Sequence, residues 1–107
     1  AASERRILVG IGSFLGSIGS NNDGGLYSYR SSKAGIHAVM RSLSIDLREK
    51  GVTAIAMHPG WVQTDMGGPD AAISAQESVA GMRRVIDGLK PADSGRLLTY
   101  AGEELPW

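Results

Sequence analysis

The 107-residue chain contains no cysteine, which removes disulfides and cysteine-ligated zinc from consideration. That absence permits a reducing compartment, and the cytoplasm is the expected location. Neither sign of charge dominates: eleven Lys and Arg balance eleven Asp and Glu. Nothing in that balance points to nucleic acid or an anionic membrane as a partner, and neither is expected. Long hydrophobic runs are missing too. The strongly apolar stretches reach about five residues, against the roughly 20 that a helix needs to cross a bilayer. No basic stretch followed by an apolar core opens the sequence in the manner of a secretion signal. The length suits one domain and is too short for two. Ser3-Glu4-Arg5-Arg6 runs straight into an apolar stretch and reads as the tail of a preceding helix, so the expectation is a truncated chain.

What is present alternates in period. Ile7-Leu8-Val9-Gly10-Ile11 is a nearly continuous apolar run, the pattern of a strand buried on both faces. Gly, Ser, Asn and Asp then dominate from Gly12 to Gly25, which is loop chemistry. From Tyr27 to Lys50 the apolar residues Ile36, Val39, Met40, Leu43 and Leu47 recur at helical spacing, and Gly51 stands where a helix-ending glycine would stand. Val52 to Met57 is a second strand, stopped by His58-Pro59-Gly60. Ser74-Ala75-Gln76-Glu77 reads as a capping box opening a shorter helix. Its apolar face is Val79, Met82, Ile86 and Leu89, and Pro91 closes it. Arg96 to Tyr100 is a third strand, followed by a short tail to Trp107. The order β-α-β-α-β predicts an α/β fold of right-handed parallel units. Three strands make only part of a doubly wound sheet, so one edge is expected to have a neighbour.

Four constellations could carry chemistry. Tyr29 and Lys33 are four residues apart, so on a helix they share a face and a small volume. A phenol is a poor proton relay near neutrality, and a neighbouring ammonium favours its charged form. With so few tyrosines and lysines, this spacing arises by chance about once in twelve such chains, as on an ordinary solvated helix face. Ser13 stands where the first strand ends, at the edge where open α/β sheets place ligands. Its hydroxyl could hold a carbonyl oxygen, or merely satisfy a turn. Gly10-Ile11-Gly12-Ser13-Phe14-Leu15-Gly16 superficially resembles a dinucleotide phosphate loop, but the residues after it cannot open a helix, so it is set aside. His58-Pro59-Gly60-Trp61-Val62-Gln63-Thr64-Asp65 follows the second strand. Its backbone and the Thr64 hydroxyl could bind a carboxamide, or His58 could join Ser13 and Asp65 in a hydrolase triad. Leu15 breaks the Gly-x-Ser-x-Gly pattern, which weighs against that triad.

In order along the chain, Ile11-Gly12-Ser13, Tyr29-x-x-x-Lys33 and Pro59-Gly60-Trp61-Val62-x-Thr64 resemble the short-chain dehydrogenase/reductase family. Finer features resemble its C-factor-like, sniffer-type carbonyl reductases: Leu15-Gly16-Ser17-Ile18, Asp23-Gly24-Gly25, Tyr27-Ser28-Tyr29-Arg30 and the stretch from His58 to Gly68. The resemblance implies the C-terminal half of a Rossmann-like domain, with residues 1–107 lacking the cofactor-binding N-terminal half. It implies a carbonyl reductase acting on a ketone or aldehyde, with NADP(H) favoured over NAD(H). Tyr29 would be the proton donor, Lys33 its partner and a ligand of the nicotinamide ribose, and Ser13 the residue orienting the reacting oxygen. Pro59, Gly60, Val62 and Thr64 would hold the carboxamide, Trp61 and Met66 would line the substrate, and the segment from Asp65 to Ser74 would cover it. No metal is implied. The family's glycine-rich phosphate loop and catalytic asparagine do not occur in this sequence, and Asn21 and Asn22 are misplaced for the latter role. The resemblance also implies a homo-oligomer formed through the Tyr29-bearing helix. The alternatives are a truncated, non-catalytic oligomerisation module of the same fold and, more distantly, a serine hydrolase.

Overall fold

The computed structural model describes residues 6–60 and 73–107. Its elements are β1 (Arg6–Ile11), α1 (Tyr27–Asp46), β2 (Val52–His58), α2 (Ala75–Asp87), β3 (Leu97–Thr99) and β4 (Glu104–Leu105). Three single 3₁₀ turns, Phe14–Gly16, Arg48–Lys50 and Pro91–Asp93, join them. The strands form one sheet in the order β1-β2-β3-β4. The first two pairings are parallel, with Gly10 beside Ala56 and His58 beside Thr99, and the last is antiparallel.

Side chains alternate across β2 and sort the core into two layers. Ala54 and Ala56, with Leu97, pack against Met40, Ile36 and Leu43 of α1, and Leu105 and Trp107 join this layer. Ile55 and Met57, with Leu98 and Leu89, pack against Met82, Val85 and Ile86 of α2, together with Ile7 and Val9. The α1 side of the sheet is lined by small residues, which lets the helix come close. At Gly10 even a β-carbon would lie 2.5 Å from Cγ of Met40.

This layering corrects the expectation of right-handed units throughout. The parallel strands β1, β2 and β3 advance across the sheet in one direction, yet α1 and α2 lie on opposite faces. Two crossovers so arranged have opposite hands, so one departs from the rule for parallel units. β1 differs as well: Leu8 is 42% and Ile11 47% exposed, where burial on both faces was expected. Among the described residues β1 pairs only with β2, so it is an edge strand with apolar side chains left uncovered. The tail contains β4, too short for any periodicity to mark. It exists because Leu97 pairs with Leu105 and Leu98 with Glu104.

The local signals fared better. α1 ends at Asp46, earlier than the spacing suggested, and the chain continues as the 3₁₀ turn that Gly51 closes at φ 73°. Ser74 caps α2 by accepting the Glu77 N–H at 3.1 Å. At the other end of the loop, Gly24, Gly25 and Leu26 are all left-handed, with φ of 70°, 70° and 51°, and turn the chain into α1. For a branched side chain such as Leu26 that conformation costs about 1–2 kcal/mol.

Candidate active site

Tyr29 and Lys33 occupy adjacent turns of α1 with Nζ 5.8 Å from the centroid of the phenol ring, inside cation–π reach. Tyr29 is 39% exposed and Lys33 is half-buried. Among the described residues no carboxylate pairs with Lys33, which leaves its charge for the phenol and for whatever binds beside it.

Ser13 reaches this face because the turn after β1 is pressed onto α1. Gly12 extends the β1–β2 ladder by donating to the Met57 carbonyl at 2.8 Å, and Ser13 follows in extended conformation as the cap of the first 3₁₀ turn. The Ser13 hydroxyl oxygen accepts the Leu15 N–H at 3.1 Å. Among the described residues nothing accepts its own proton, and a donated proton is what orienting a carbonyl oxygen requires. Gly16 sits against Lys33 so tightly that a β-carbon there would be 2.7 Å from Cβ of the lysine.

One more turn along the same helix face is His37, a residue for which the sequence reading had no role. It is 2% exposed, and its Nε2 accepts the Ser13 N–H at 3.2 Å. Burial lowers its pKa, the Gly16 backbone acts in the opposite direction and the Lys33 ammonium adds to the lowering. Its spacing was the available signal: Tyr29, Lys33 and His37 lie at i, i+4 and i+8. The other histidine, His58, is the base a hydrolase triad would need, but its Nδ1 accepts the Phe14 N–H at 3.0 Å. Burial, and secondarily the nearby His37, lower its pKa. The hydrogen bond between Ser13 and His58 that a hydrolase would need is not made among the described residues, and Asp65 lies outside them.

Pro59 and Gly60 stand at the carboxyl end of β2, on the same sheet edge as Ser13, because Ile11 and Met57 are in register. Gly60 has φ 88°, and a β-carbon there would lie 2.6 Å from Cδ1 of Ile73, so the turn admits only glycine without rearrangement. The Pro59 carbonyl accepts from the hydroxyl of Ser78 on α2. Trp61, Val62, Thr64 and Met66, and most of the expected covering segment, lie outside the described residues. The glycine-rich stretch from Gly10 to Gly16 leads only into a three-residue 3₁₀ turn, in keeping with its dismissal as a phosphate loop. The tail braces this region from behind. The Ser17 hydroxyl donates to the Pro106 carbonyl, Ile18 N–H donates to the Trp107 main-chain oxygen, and the Trp107 ring meets His37 edge-on at 5.6 Å. A cavity of about 410 Å³ beside this loop is lined by Leu15, Ile18, Tyr27 and Arg30 and lies on another side of α1. None of Ser13, Tyr29 and Lys33 contributes to its lining.

The described residues thus form an α/β layer with a serine at one strand end and a Tyr-x-x-x-Lys pair on the next helix, beside the sheet edge where such folds place ligands. A family model described as short chain dehydrogenase matches residues 6–74, more than half of the chain. The protein belongs to the short-chain dehydrogenase family. It is 54% identical over 102 residues to the C-signal of Myxococcus xanthus, covering 95% of this chain and 61% of that protein. Among solved structures it is similar to the carbonyl reductase Sniffer of D. melanogaster, with a TM-score of 0.93 and 36% identity over 99% of this chain and 45% of that one. It is also similar to an NADPH-bound carbonyl reductase from chicken fatty liver, with a TM-score of 0.87 and 38% identity over 94% of this chain and 42% of that one. The chain thus spans 61% of the curated relative and under half of the two reductases.

Proposed function

We propose that this chain carries the proton-transfer half of an NADPH-dependent carbonyl reductase that acts on ketones or aldehydes. The observation that carries the reading is the Lys33 ammonium 5.8 Å over the exposed Tyr29 ring, on the helix face against which the Ser13 turn is packed. The coenzyme fits the residues in hand for its nicotinamide riboside end. Tyr29, the Lys33 ammonium, which no carboxylate pairs among the described residues, and the Pro59–Gly60 turn face the carboxyl edge of a parallel sheet, the usual ligand crevice of such folds. NADP(H) is favoured over NAD(H) because one of the similar reductases is described as NADPH-bound.

When bound, the coenzyme supplies the hydride that reduces the carbonyl carbon. This chain's residues deal with the oxygen. Ser13 donates its free hydroxyl proton as a hydrogen bond to the carbonyl oxygen and fixes its position beside Tyr29. Tyr29 gives its phenolic proton to that oxygen as negative charge builds there, completing the alcohol. Lys33 stabilises the negative charge left on the phenol oxygen until a solvent proton replaces the one transferred. Its ammonium would also donate to the ribose hydroxyls, with Val62 and Thr64 holding the carboxamide and Trp61 and Met66 lining the substrate.

The same proposal treats residues 1–107 as part of a larger domain whose remaining strands cover β1. The exposure of Leu8 and Ile11 on a strand with no second partner among the described residues supports it, since parallel sheets normally bury both faces. A non-catalytic module has no observation of its own in its favour. The test is NADPH consumption with a reactive carbonyl by the full natural protein. Tyr29→Phe is expected to lower kcat by about 10²–10⁴-fold, the usual weight of a positioned acid, with the fold intact by circular dichroism. Unchanged turnover would remove the role assigned to Tyr29, and labelling of Ser13 by a fluorophosphonate would favour a hydrolase.

A further inference from the structure

His37 on α1 and His58 at the end of β2 take no part in the reaction proposed above, yet both reach the turn that carries Ser13. Nε2 of His37 accepts the N–H of Ser13 at 3.2 Å, and Nδ1 of His58 accepts the N–H of Phe14 at 3.0 Å. These are consecutive amides, one on each side of the Ser13 α-carbon. Two acceptors from two different elements therefore fix both peptide planes that aim the Ser13 side chain.

We propose that His37 and His58 form a two-imidazole clamp that positions Ser13 through the backbone on either side of it. The inference rests on Ser13 acting on the carbonyl oxygen as proposed above.

Several independent features serve the clamp. A β-carbon at Gly12 would lie 2.1 Å from Nε2 of His37, so glycine alone leaves room for the ring. The Trp107 ring holds the imidazole edge-on, and the Phe14 and His58 rings lie 6.2 Å apart. An imidazole nitrogen accepts a hydrogen bond only when it carries no proton, so each histidine must be neutral: His37 protonated on Nδ1, His58 on Nε2. Burial favours that state at both rings; at His37 the Gly16 backbone opposes it, and Nδ1 is buried without a hydrogen-bond partner among the described residues. Lys33 faces His37 from one turn earlier on α1, and Arg41, one turn later, lines a cavity of about 280 Å³ with His37 and Trp107. At His58 burial is the chief cause that favours the neutral ring. Among the described residues no carboxylate pairs with either ring. Protonating either histidine would place a donor against a donor and release the amide it holds.

The test uses the full natural protein, labelled with ¹⁵N, and reads amide exchange at Ser13 and Phe14 beside kcat for NADPH-dependent reduction of a reactive carbonyl. A glutamine side-chain oxygen can stand where Nε2 stands, and an asparagine oxygen where Nδ1 stands. His37→Gln and His58→Asn therefore keep the acceptor without a titrating group, while His37→Leu and His58→Leu remove it. Each leucine variant is expected to raise exchange at its own amide and to lower kcat by about tenfold or more, with little change in KM. The isosteric variants should recover kcat and hold it on acidification, where the wild-type protein loses it. In the wild-type protein, which needs no substitution, both amide resonances should move as pH falls below 6.5, the ordinary histidine value. Wild-type exchange at Ser13 in His37→Leu, or amides that stay still on acidification, would overturn the clamp. Ser13→Ala separates the two readings. If it abolishes turnover while both leucine variants turn over normally, the clamp fails and the role of Ser13 stands. If it leaves kcat unchanged, the role of Ser13 fails and the positioning role fails with it, whatever the exchange rates report.

Discussion

Two glycines hold the site open by having no side chain. Neither Gly12 nor Gly16 is left-handed; what each supplies is space. A β-carbon at Gly12 would lie 2.1 Å from Nε2 of His37, and one at Gly16 would lie 2.7 Å from Cβ of Lys33 and 2.8 Å from Cε1 of His37. Lys33 and His37 can therefore share one helix face with the Ser13 turn only because both positions are bare. Overpacking of this kind typically costs about 1–3 kcal/mol. Gly12→Ala is expected to destabilise by that amount in urea unfolding and to displace the His37 ring from the Ser13 amide. Because misplacing a reacting group by about 1 Å can cost about 10²-fold in rate, turnover of the full protein should fall further than its stability does. Unaltered stability and turnover would mean that the His37 ring can simply swing aside.

Among the elements, α1 and α2 are built differently. α1 begins without a side-chain cap, from the left-handed residue Leu26, and is held by its contact with the Ala54–Ala56 side of the sheet. α2 begins on Ser74, whose oxygen takes the Glu77 N–H and so satisfies one of the four orphan donors of its first turn. The Glu77 carboxylate adds a favourable charge at the positive end of the helix. Ser74→Ala should thus cost about 1 kcal/mol, measurable as a lowered urea midpoint with an unchanged slope. No loss would mean that water replaces the cap. Since the Ser78 hydroxyl of α2 donates to the Pro59 carbonyl, fraying of this helix would also loosen the turn that leads out of β2.

Across the whole molecule, stability should follow pH through the two histidines. Both have pKa values lowered in the fold, chiefly by burial, while the unfolded chain keeps the ordinary value near 6.5. The unfolded state therefore binds the protons first. Stability is complete above about pH 6.5 and is lost as pH falls from there toward the depressed folded values, with a slope of about 1.4 kcal/mol per pH unit for each histidine at most. Urea midpoints should drop between about pH 7.5 and pH 5.5, and less so in His37→Gln. A flat profile over that range would mean that neither ring is held neutral by the fold. The same scale holds the feature that most resembles an unfinished surface. β2 is buried on both faces, whereas β1, its parallel neighbour, leaves Leu8 and Ile11 exposed and pairs only with β2 among the described residues.

Local periodicity carried much of this protein into view. The strands, both helices, the Ser74 cap, the Gly51 stop and the Tyr29–Lys33 pair all depend on residues within about one turn of each other, where spacing and geometry are nearly the same thing. The position of Ser13 at a strand end was legible for the same reason. Its partners were not. The bond from Ser13 to His37 spans 24 residues, that from Phe14 to His58 spans 44, and that from Ser17 to Pro106 spans 89. Such contacts depend on which face of the sheet each helix covers, and that face is chosen by packing: Ala54 and Ala56 admit α1, and Ile55 and Met57 receive α2. The opposite hands of the two crossovers, the exposed face of β1 and the two residues of β4 follow from that choice. The sequence by itself determined the chemical groups and the helix that pairs them, because a four-residue spacing on a helix is already a distance. Only the tertiary structure decided that two neutral histidines from different elements would close on the backbone of Ser13, because burial and sheet order exist only once the chain has packed.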